Sequence, residues 1–252
     1  FTNGFHDAAN AIATSVGTRA LAPVTALALA AVFNFIGAFI GYWTGSGVAK
    51  TIQSVTTPPT GYAGLALVAA ALGGAIGWNL VTWRLGLPSS STHALIGGVV
   101  GAALVAGTIV EWGTVWEKVI IPMVTSPFVG LILAFLVMRL IVVIFRNKNP
   151  QKVGGGFRHA QSVSACAMAM GHGMQDAQKT MGVIFLLLIS MGYASASDEM
   201  PVWIVFACAG AISIGTAVGG KRIMKTLGRR IIDLDPARGF SAESVSATVL
   251  YV

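Results

Sequence analysis

The sequence predicts an all-α polytopic membrane protein built from inverted-topology repeats with broken or re-entrant helices, and three observations carry that prediction. The first is composition. Of 252 residues, 55% are hydrophobic and only 10% charged, with 31 glycines, whereas a soluble domain carries about 25% charged residues. The second is the placement of charge: the 16 basic residues give a net charge of +7, yet they cluster between apolar runs, as the positive-inside rule expects of cytoplasmic loops. Nucleic acid is therefore not an expected partner. The third is a polar motif that occurs twice. Thr2 to Thr14 reads Thr-Asn-Gly-Phe-His-Asp-Ala-Ala-Asn-Ala-Ile-Ala-Thr, and Met170 to Gly182 reads Met-Gly-His-Gly-Met-Gln-Asp-Ala-Gln-Lys-Thr-Met-Gly. Setting Asp7 on Asp176 also aligns Gly4 with Gly173, Ala8 with Ala177 and His6 with Gln175. An ionisable group at membrane depth is expensive, so each copy marks a functional site.

Residues 4–20 fall short of the about 20 apolar residues a span needs. Asn3, Gly4 and His6 are expected to break or unwind a helix there, making this the second half of a broken one. Pro23 opens a full span to Trp43, with Asn34 its only strongly polar member. From Thr44 to Tyr62 the chain turns to Gly, Ser, Thr and Pro and reads as a loop. Residues 63–83 are small and apolar, with Gly73, Gly74 and Gly77 permitting close helix contact. Next comes Gly86-Leu87-Pro88-Ser89-Ser90-Ser91-Thr92-His93. Proline disfavours helix before it and is tolerated at a helix start, so a helix begins in the serine run and continues to Gly107. Residues 63–107 are two spans or a re-entrant hairpin; both return Thr108 to the side where residue 62 began.

Residues 108–118 form an interfacial stretch anchored by Trp112 and Trp116. Val119 to Phe145 is a long span interrupted in its first half by Pro122, Ser126 and Pro127, with Arg139 snorkelling or facing another helix. The run 146–158, with Arg146, Lys148, Lys152 and Arg158 and no acid, is the first cytoplasmic loop. The second motif lies in 159–192, Val202 to Gly219 is another span, and Lys221, Arg222, Lys225, Arg229 and Arg230 mark a second cytoplasmic loop over 221–238. A final helix starts near Ser241, with Glu243 in its first turn. Cys166 and Cys208 lie in apolar stretches without a CxxC partner and read as small core residues.

With both basic loops cytoplasmic, 159–192 runs outward and 4–20 inward. The motif copies then cross the membrane in opposite directions, as in secondary transporters whose binding site lies near the midplane. The organisation is a first repeat over 1–145, a cytoplasmic linker over 146–158 and the start of a second repeat over 159–252. The chain begins inside a motif and ends in an apolar pattern at Leu250-Tyr251-Val252, as a fragment cut at both ends would. Ser90 lies 83 residues after Asp7, so its counterpart is expected near position 259.

The serine run offers a helix N-terminus with free N–H groups, a partial positive charge and hydroxyl donors, which suits a tetrahedral oxyanion such as phosphate or sulfate. An ordinary N-cap is the plain alternative, but a soluble-style loop does not belong between lipid-embedded runs. Asp7 and Asp176 repel such an anion, so cations must enter with it: Na⁺ on carboxylate, amide and backbone oxygens, with Asp7, Asn10 and Asp176 as ligands, or protons on the carboxylates. Asn10 and Gln178 suit cation coordination, and Lys179 neutralises phosphate or pairs with Asp176. His6, His93 and His172 are candidate proton relays at neutral pH, while His159 sits beside a basic loop and reads as solvated.

Asn3-Gly4-Phe5-His6-Asp7-Ala8-Ala9-Asn10-Ala11, the Gly86 to His93 run and His172-Gly173-Met174-Gln175-Asp176-Ala177-Gln178-Lys179 resemble the signature stretches of the inorganic phosphate transporter (PiT) family, of the low-affinity bacterial type. Its pattern is Gly-Ala-Asn-Asp with a later Pro-x-Ser-Ser/Thr-Thr-His. The resemblance covers nearly the whole chain and implies a cation-coupled phosphate symporter in the cytoplasmic membrane, not an enzyme, with H⁺ or Na⁺ as coupling ion and no other cofactor. It carries over Asp7, Asn10, Asp176, Gln178, Ser90, Ser91 and Thr92, so that Ser90, Ser91, Thr92, Asp7, Asp176 and Lys179 form the expected phosphate set. The family's first asparagine is His6 here and Gln175 in the second copy; both join the coupling set, and His6 leans it towards H⁺. Expected partners are phosphate, alone or as a metal–phosphate complex, membrane lipid and a second copy in a homodimer. Two alternatives stand beside this: a sulfate permease of the same family, and an intramembrane serine hydrolase using Ser90 or Ser91 with His172. The hydrolase lacks a nucleophile elbow and leaves the repeat unexplained.

Overall fold

The computed structural model describes residues 1–45, 47–219 and 234–251, with backbone alone at 8–10. The chain is helical in the order α1 (Thr2–Gly17), α2 (Pro23–Thr44), α3 (Gly47–Gln53), α4 (Tyr62–Leu85), α5 (Ser91–Ala106) and α6 (Trp112–Val115). A π turn (Trp116–Ile120) leads into α7 (Ile121–Phe145), followed by α8 (Pro150–Ser190), α9 (Val202–Val218) and α10 (Pro236–Tyr251). Among the described residues β structure is limited to an isolated bridge, Thr56 to Val110. Three helices are long and apolar enough to cross a membrane: α2, α4 and the continuous run Trp112–Phe145. The protein is an integral membrane protein.

Several boundaries differ from the sequence expectations, each for a local reason. α1 is one continuous helix through Asn3, Gly4 and His6, so the expected break does not fall at those residues. Gly4 is there for packing: a methyl group at that position would overlap the Ile212 carbonyl of α9. The 44–62 loop contains α3, whose Ala49 and Ile52 are buried. Of the expected 146–158 loop only 146–149 is non-helical, because Asn149 caps α8 by accepting a bond from the Gln151 amide at 2.9 Å, and Pro150 occupies its first turn, where the missing N–H costs nothing. α8 then runs 41 residues without interruption, about 61 Å at 1.5 Å per residue, so the second motif also sits inside an unbroken helix. Pro122 follows the π turn and Pro127 lies inside α7; the wide turn accommodates a ring that would clash with the carbonyl four residues back. α10 begins at Pro236 rather than near Ser241. The basic run 221–230 lies within 220–233, outside the described residues.

α8 is the spine. α2 packs along it in parallel at small residues, Gly37 against Met170, Gly41 against Met174 and Gly173 against Asn34, where any Cβ would overlap backbone. α1 runs antiparallel to it: Thr18 donates to Gln161 at 2.7 Å, while Asp7 lies within 4.8 Å of Asp176. The two motif copies therefore point in opposite directions, the relation an inverted pair requires. α4 and α5 form a hairpin, with Gly98 against the Ala71 carbonyl. Its base is pinned beside the end of α8, through the Gly61 amide on the Ser190 carbonyl at 2.7 Å and the Glu111 amide on the Val55 carbonyl at 2.9 Å. Its tip meets α8 at Lys179, about 16 Å short of Ser190 along the helix. The hairpin enters and returns on one side, as both readings of 63–107 require.

Candidate functional site

The tip of the hairpin, the middle of α8 and the first turns of α1 converge. Gly86 closes α4 in the left-handed conformation at φ +70°, which glycine adopts without strain. The chain then passes Pro88 to Ser90, the N-cap of α5, whose hydroxyl accepts from the His93 amide at 3.3 Å. Ser89 accepts from the Trp78 indole at 3.0 Å. Ser91 is 4% exposed and its hydroxyl has no hydrogen-bond partner among the described residues, a group that costs about 1–3 kcal/mol until something satisfies it. Thr92 accepts from the Lys179 ammonium, which also pairs with Asp176 Oδ1. Ser90, Thr92, His93, Gln175, Lys179 and Lys118 line one cavity of about 530 Å³ between α3, α5, α7 and α8, so hydroxyls, a helix N-terminus and two ammonium groups face the same space.

Behind it lie the two aspartates. Asp7 is 5% exposed and Asp176 6%. His6, itself buried, bridges Asp7 Oδ1 at 2.8 Å and Thr82 Oγ1 of α4 at 3.0 Å through its two ring nitrogens. His172 pairs through Nε2 with Asp176 Oδ2 at 2.9 Å and reaches Asn34 Oδ1 at 3.1 Å through Nδ1; Asn34 in turn donates to Thr216 of α9 at 2.8 Å. One ligand atom each from Asp7, His172 and Asp176 lies within 4.8 Å of the others. Two carboxylates this close repel by several kcal/mol at an effective dielectric near 20 unless a cation or proton lies with them.

Not every expected site residue joins this cluster. Gln178 spends its side chain on the turn after α2, donating to the Gly41 and Gly45 carbonyls at 2.7 and 2.9 Å and accepting from the Val48 amide at 3.2 Å. Gln175 donates to the Leu250 carbonyl at 2.7 Å while lining the cavity. Asn10 lies on α1, but its side chain is outside the described residues. His93 is exposed on the α5 turn. His172 is committed to Asn34 and Asp176 rather than to Ser90 or Ser91, so no serine–histidine pair forms.

Sequence reasoning missed a second buried polar cluster. Glu243, 1% exposed, accepts from Thr14 and Ser15 of α1, from Ser164 at 2.6 Å and from Gln161 at 3.4 Å. It ties α10 to α1 and α8, and the signal available was a lone acid in an apolar pattern. Thr82 and Asn34, which orient His6 and His172, were likewise unmarked as site residues.

Over residues 3–154 and 145–252 the chain matches the profile described as the phosphate transporter family. It belongs to that family. It is 42% identical to a probable low-affinity inorganic phosphate transporter of Bacillus subtilis (strain 168), over 100% of this chain and 75% of that protein. It is 46% identical to one of Rhizobium meliloti (strain 1021), over 100% of this chain and 74% of that protein. For one of Mycobacterium tuberculosis (strain CDC 1551 / Oshkosh) the identity is 44%, over 99% of this chain and 60% of that protein. The chain thus spans about three fifths to three quarters of these relatives. Among solved structures it superposes on a sodium-dependent phosphate transporter with a TM-score of 0.84 at 25% identity, covering 100% of this chain and 80% of that one.

Proposed function

We propose that the full-length protein is a secondary transporter that moves inorganic phosphate across the bacterial plasma membrane together with H⁺ or Na⁺. The observation that carries this reading is the convergence of the α5 N-terminal hydroxyls and Lys179 in one cavity, directly against Asp176. An anion is favoured at the helix N-terminus and the ammonium group, and the adjacent aspartates give the site its need for cations. Phosphate suits it better than sulfate, because it retains a proton at neutral pH and can donate a hydrogen bond to a carboxylate. The organisation into repeats over 1–145 and 159–252, joined by 146–158, belongs to the same proposal and is supported by the antiparallel motif copies.

The test is uptake of radiolabelled phosphate into proteoliposomes holding the full-length protein. An imposed pH gradient without Na⁺, or a Na⁺ gradient without a pH gradient, should drive accumulation that excess unlabelled phosphate abolishes. Accumulation that sulfate competes away equally well, or none under either gradient, rejects the reading.

A further inference from the structure

A second cavity, of about 450 Å³, opens at the corner where α7 ends and α8 begins, lined among others by Phe145, Lys148, Asn149, Lys152, Gly156 and Phe157. Along α8 it lies about 28 Å from Asp176, counted from Phe157 at 1.5 Å per residue, so it is no part of the site above. The sequence makes this corner a boundary. α7 is apolar through its last residue, Phe145, and shows Leu140, Val142, Val143 and Ile144 on its surface, each more than half exposed. Of the most apolar stretch of Trp112–Phe145 only 6% is buried within the protein, and in an integral membrane protein such a surface meets acyl chains. Arg146 and Lys148 follow at once, and the run 146–158 carries four basic residues and no acid, so this is the end that the positive-inside rule puts at the cytoplasmic headgroups.

The cavity has two chemistries. Its inner wall is apolar: the buried Phe157 ring stands 5.4 Å from that of Phe145 and 5.4 Å from that of Phe240, and Gly156 keeps the space open, with nothing within 4 Å of where a Cβ would stand. Its mouth is cationic, with Lys148 and Lys152 beside the positive end of the α8 dipole, and among the described residues no carboxylate lines it. We propose that this groove binds one acidic phospholipid of the cytoplasmic leaflet, its phosphodiester between Lys148 and Lys152 and an acyl chain along Phe145, Gly156 and Phe157. Basic pockets between membrane helices on the cytoplasmic side suit such headgroups. A zwitterionic lipid brings its own cation against the two ammonium groups, and free phosphate leaves the apolar wall uncovered. The lipid so held fastens the corner from which α8, the helix of Asp176 and Lys179, begins.

The experiment measures lipid binding to the purified full-length protein by native mass spectrometry and by thermal midpoint, with phosphatidylglycerol, with phosphatidylcholine of the same chains and with inorganic phosphate. Wild type should hold one phosphatidylglycerol in preference to phosphatidylcholine and melt higher with it, through linkage. Lys148→Gln with Lys152→Gln should weaken that binding by about tenfold or more, at the worth of a lysine near an anionic lipid surface, and should leave the response to inorganic phosphate unchanged. Gly156→Leu fills the acyl path without touching either charge; it should lose the bound lipid while its midpoint in lipid-free detergent is no lower than that of wild type. Equal phosphatidylglycerol binding in wild type and the double glutamine variant overturns the proposal. So does equal binding of phosphatidylcholine, or a phosphate response lost with the two lysines, which would make the mouth a soluble-anion site. Lipid binding that Gly156→Leu leaves untouched would mean that another part of the full-length chain fills the groove, and overturns it as well. None of these readouts depends on transport.

Discussion

The two motif copies are built on one plan and charged differently. In α1, Asp7 has His6 on one oxygen, and Gly4 brings its backbone against α9. In α8, Asp176 has His172 and Lys179 on its two oxygens, and the aligned Gly173 brings its backbone against α2. The packing role of the glycine is preserved while the electrostatics are not. A repeat can therefore keep its helix contacts fixed while its two carboxylates are held by different side chains.

The largest effect should come from breaking the compensated half. Asp176→Asn leaves the Lys179 ammonium buried without its carboxylate, which costs about 3–5 kcal/mol, and phosphate uptake should disappear. Asp7→Asn leaves His6 with an amide oxygen to bond and should cost only about 1–3 kcal/mol. Denaturant unfolding of the purified full-length protein reads both; equal losses would mean that the two halves are not differently charged.

Next come the glycines. Gly4→Ala and Gly173→Ala each push a methyl group into backbone, for about 1–3 kcal/mol of overpacking. Gly155→Ala in the same α8, with open space around it, should instead stabilise by about 0.4–1 kcal/mol. Thermal midpoints of the three variants check the contrast, and a tolerated Gly173→Ala would undo the shared packing role.

These glycines also show how far the sequence could be read. Motif spacing gave the pairing of Asp7 with Asp176, and Pro88 with the serine run gave the start of α5 to within a residue, because both signals are local. Gly154, Gly155 and Gly156 in a basic run looked like loop, yet they lie in α8: the Asn149 cap and Pro150 start the helix, and nothing around those glycines forces it to stop. The partners of Glu243 were unreadable for a different reason. They are Thr14, Ser15, Gln161 and Ser164, which come together only through the packing of α1, α8 and α10. Gln178 matched a ligand pattern by its neighbours in sequence, but α2 ends beside it with two carbonyls to satisfy.

A smaller effect is expected at the hairpin tip, where phosphate is proposed to bind. Ser90→Ala with Ser91→Ala removes two hydroxyls, at about 1–3 kcal/mol for each partner left unsatisfied. Phosphate uptake should fall by about tenfold or more with membrane expression unchanged. Normal uptake would make the run a plain helix cap.

The smallest effect on stability, and the sharpest on mechanism, belongs to His6. Its Nδ1 meets Asp7 at 2.8 Å and its Nε2 meets Thr82 at 3.0 Å. The Thr82 hydroxyl already donates to the Trp78 carbonyl at 3.0 Å. A ring nitrogen of His6 lies one hydrogen bond from the Asp7 carboxylate. At the aligned position the second copy has Gln175, bonded to the Leu250 carbonyl at 2.7 Å, and its histidine contact comes from His172 one turn earlier. His6→Asn keeps an amide that can bond Asp7 and should cost no more than about 1 kcal/mol of stability. In proteoliposomes with a pH gradient and no Na⁺, it should lose most of the proton-driven uptake while Na⁺-driven uptake, where wild type has any, persists. If the pH profile of uptake in His6→Asn matches that of wild type, the histidine only packs between α1 and α4, and the coupling proton rides on the Asp7 carboxylate itself.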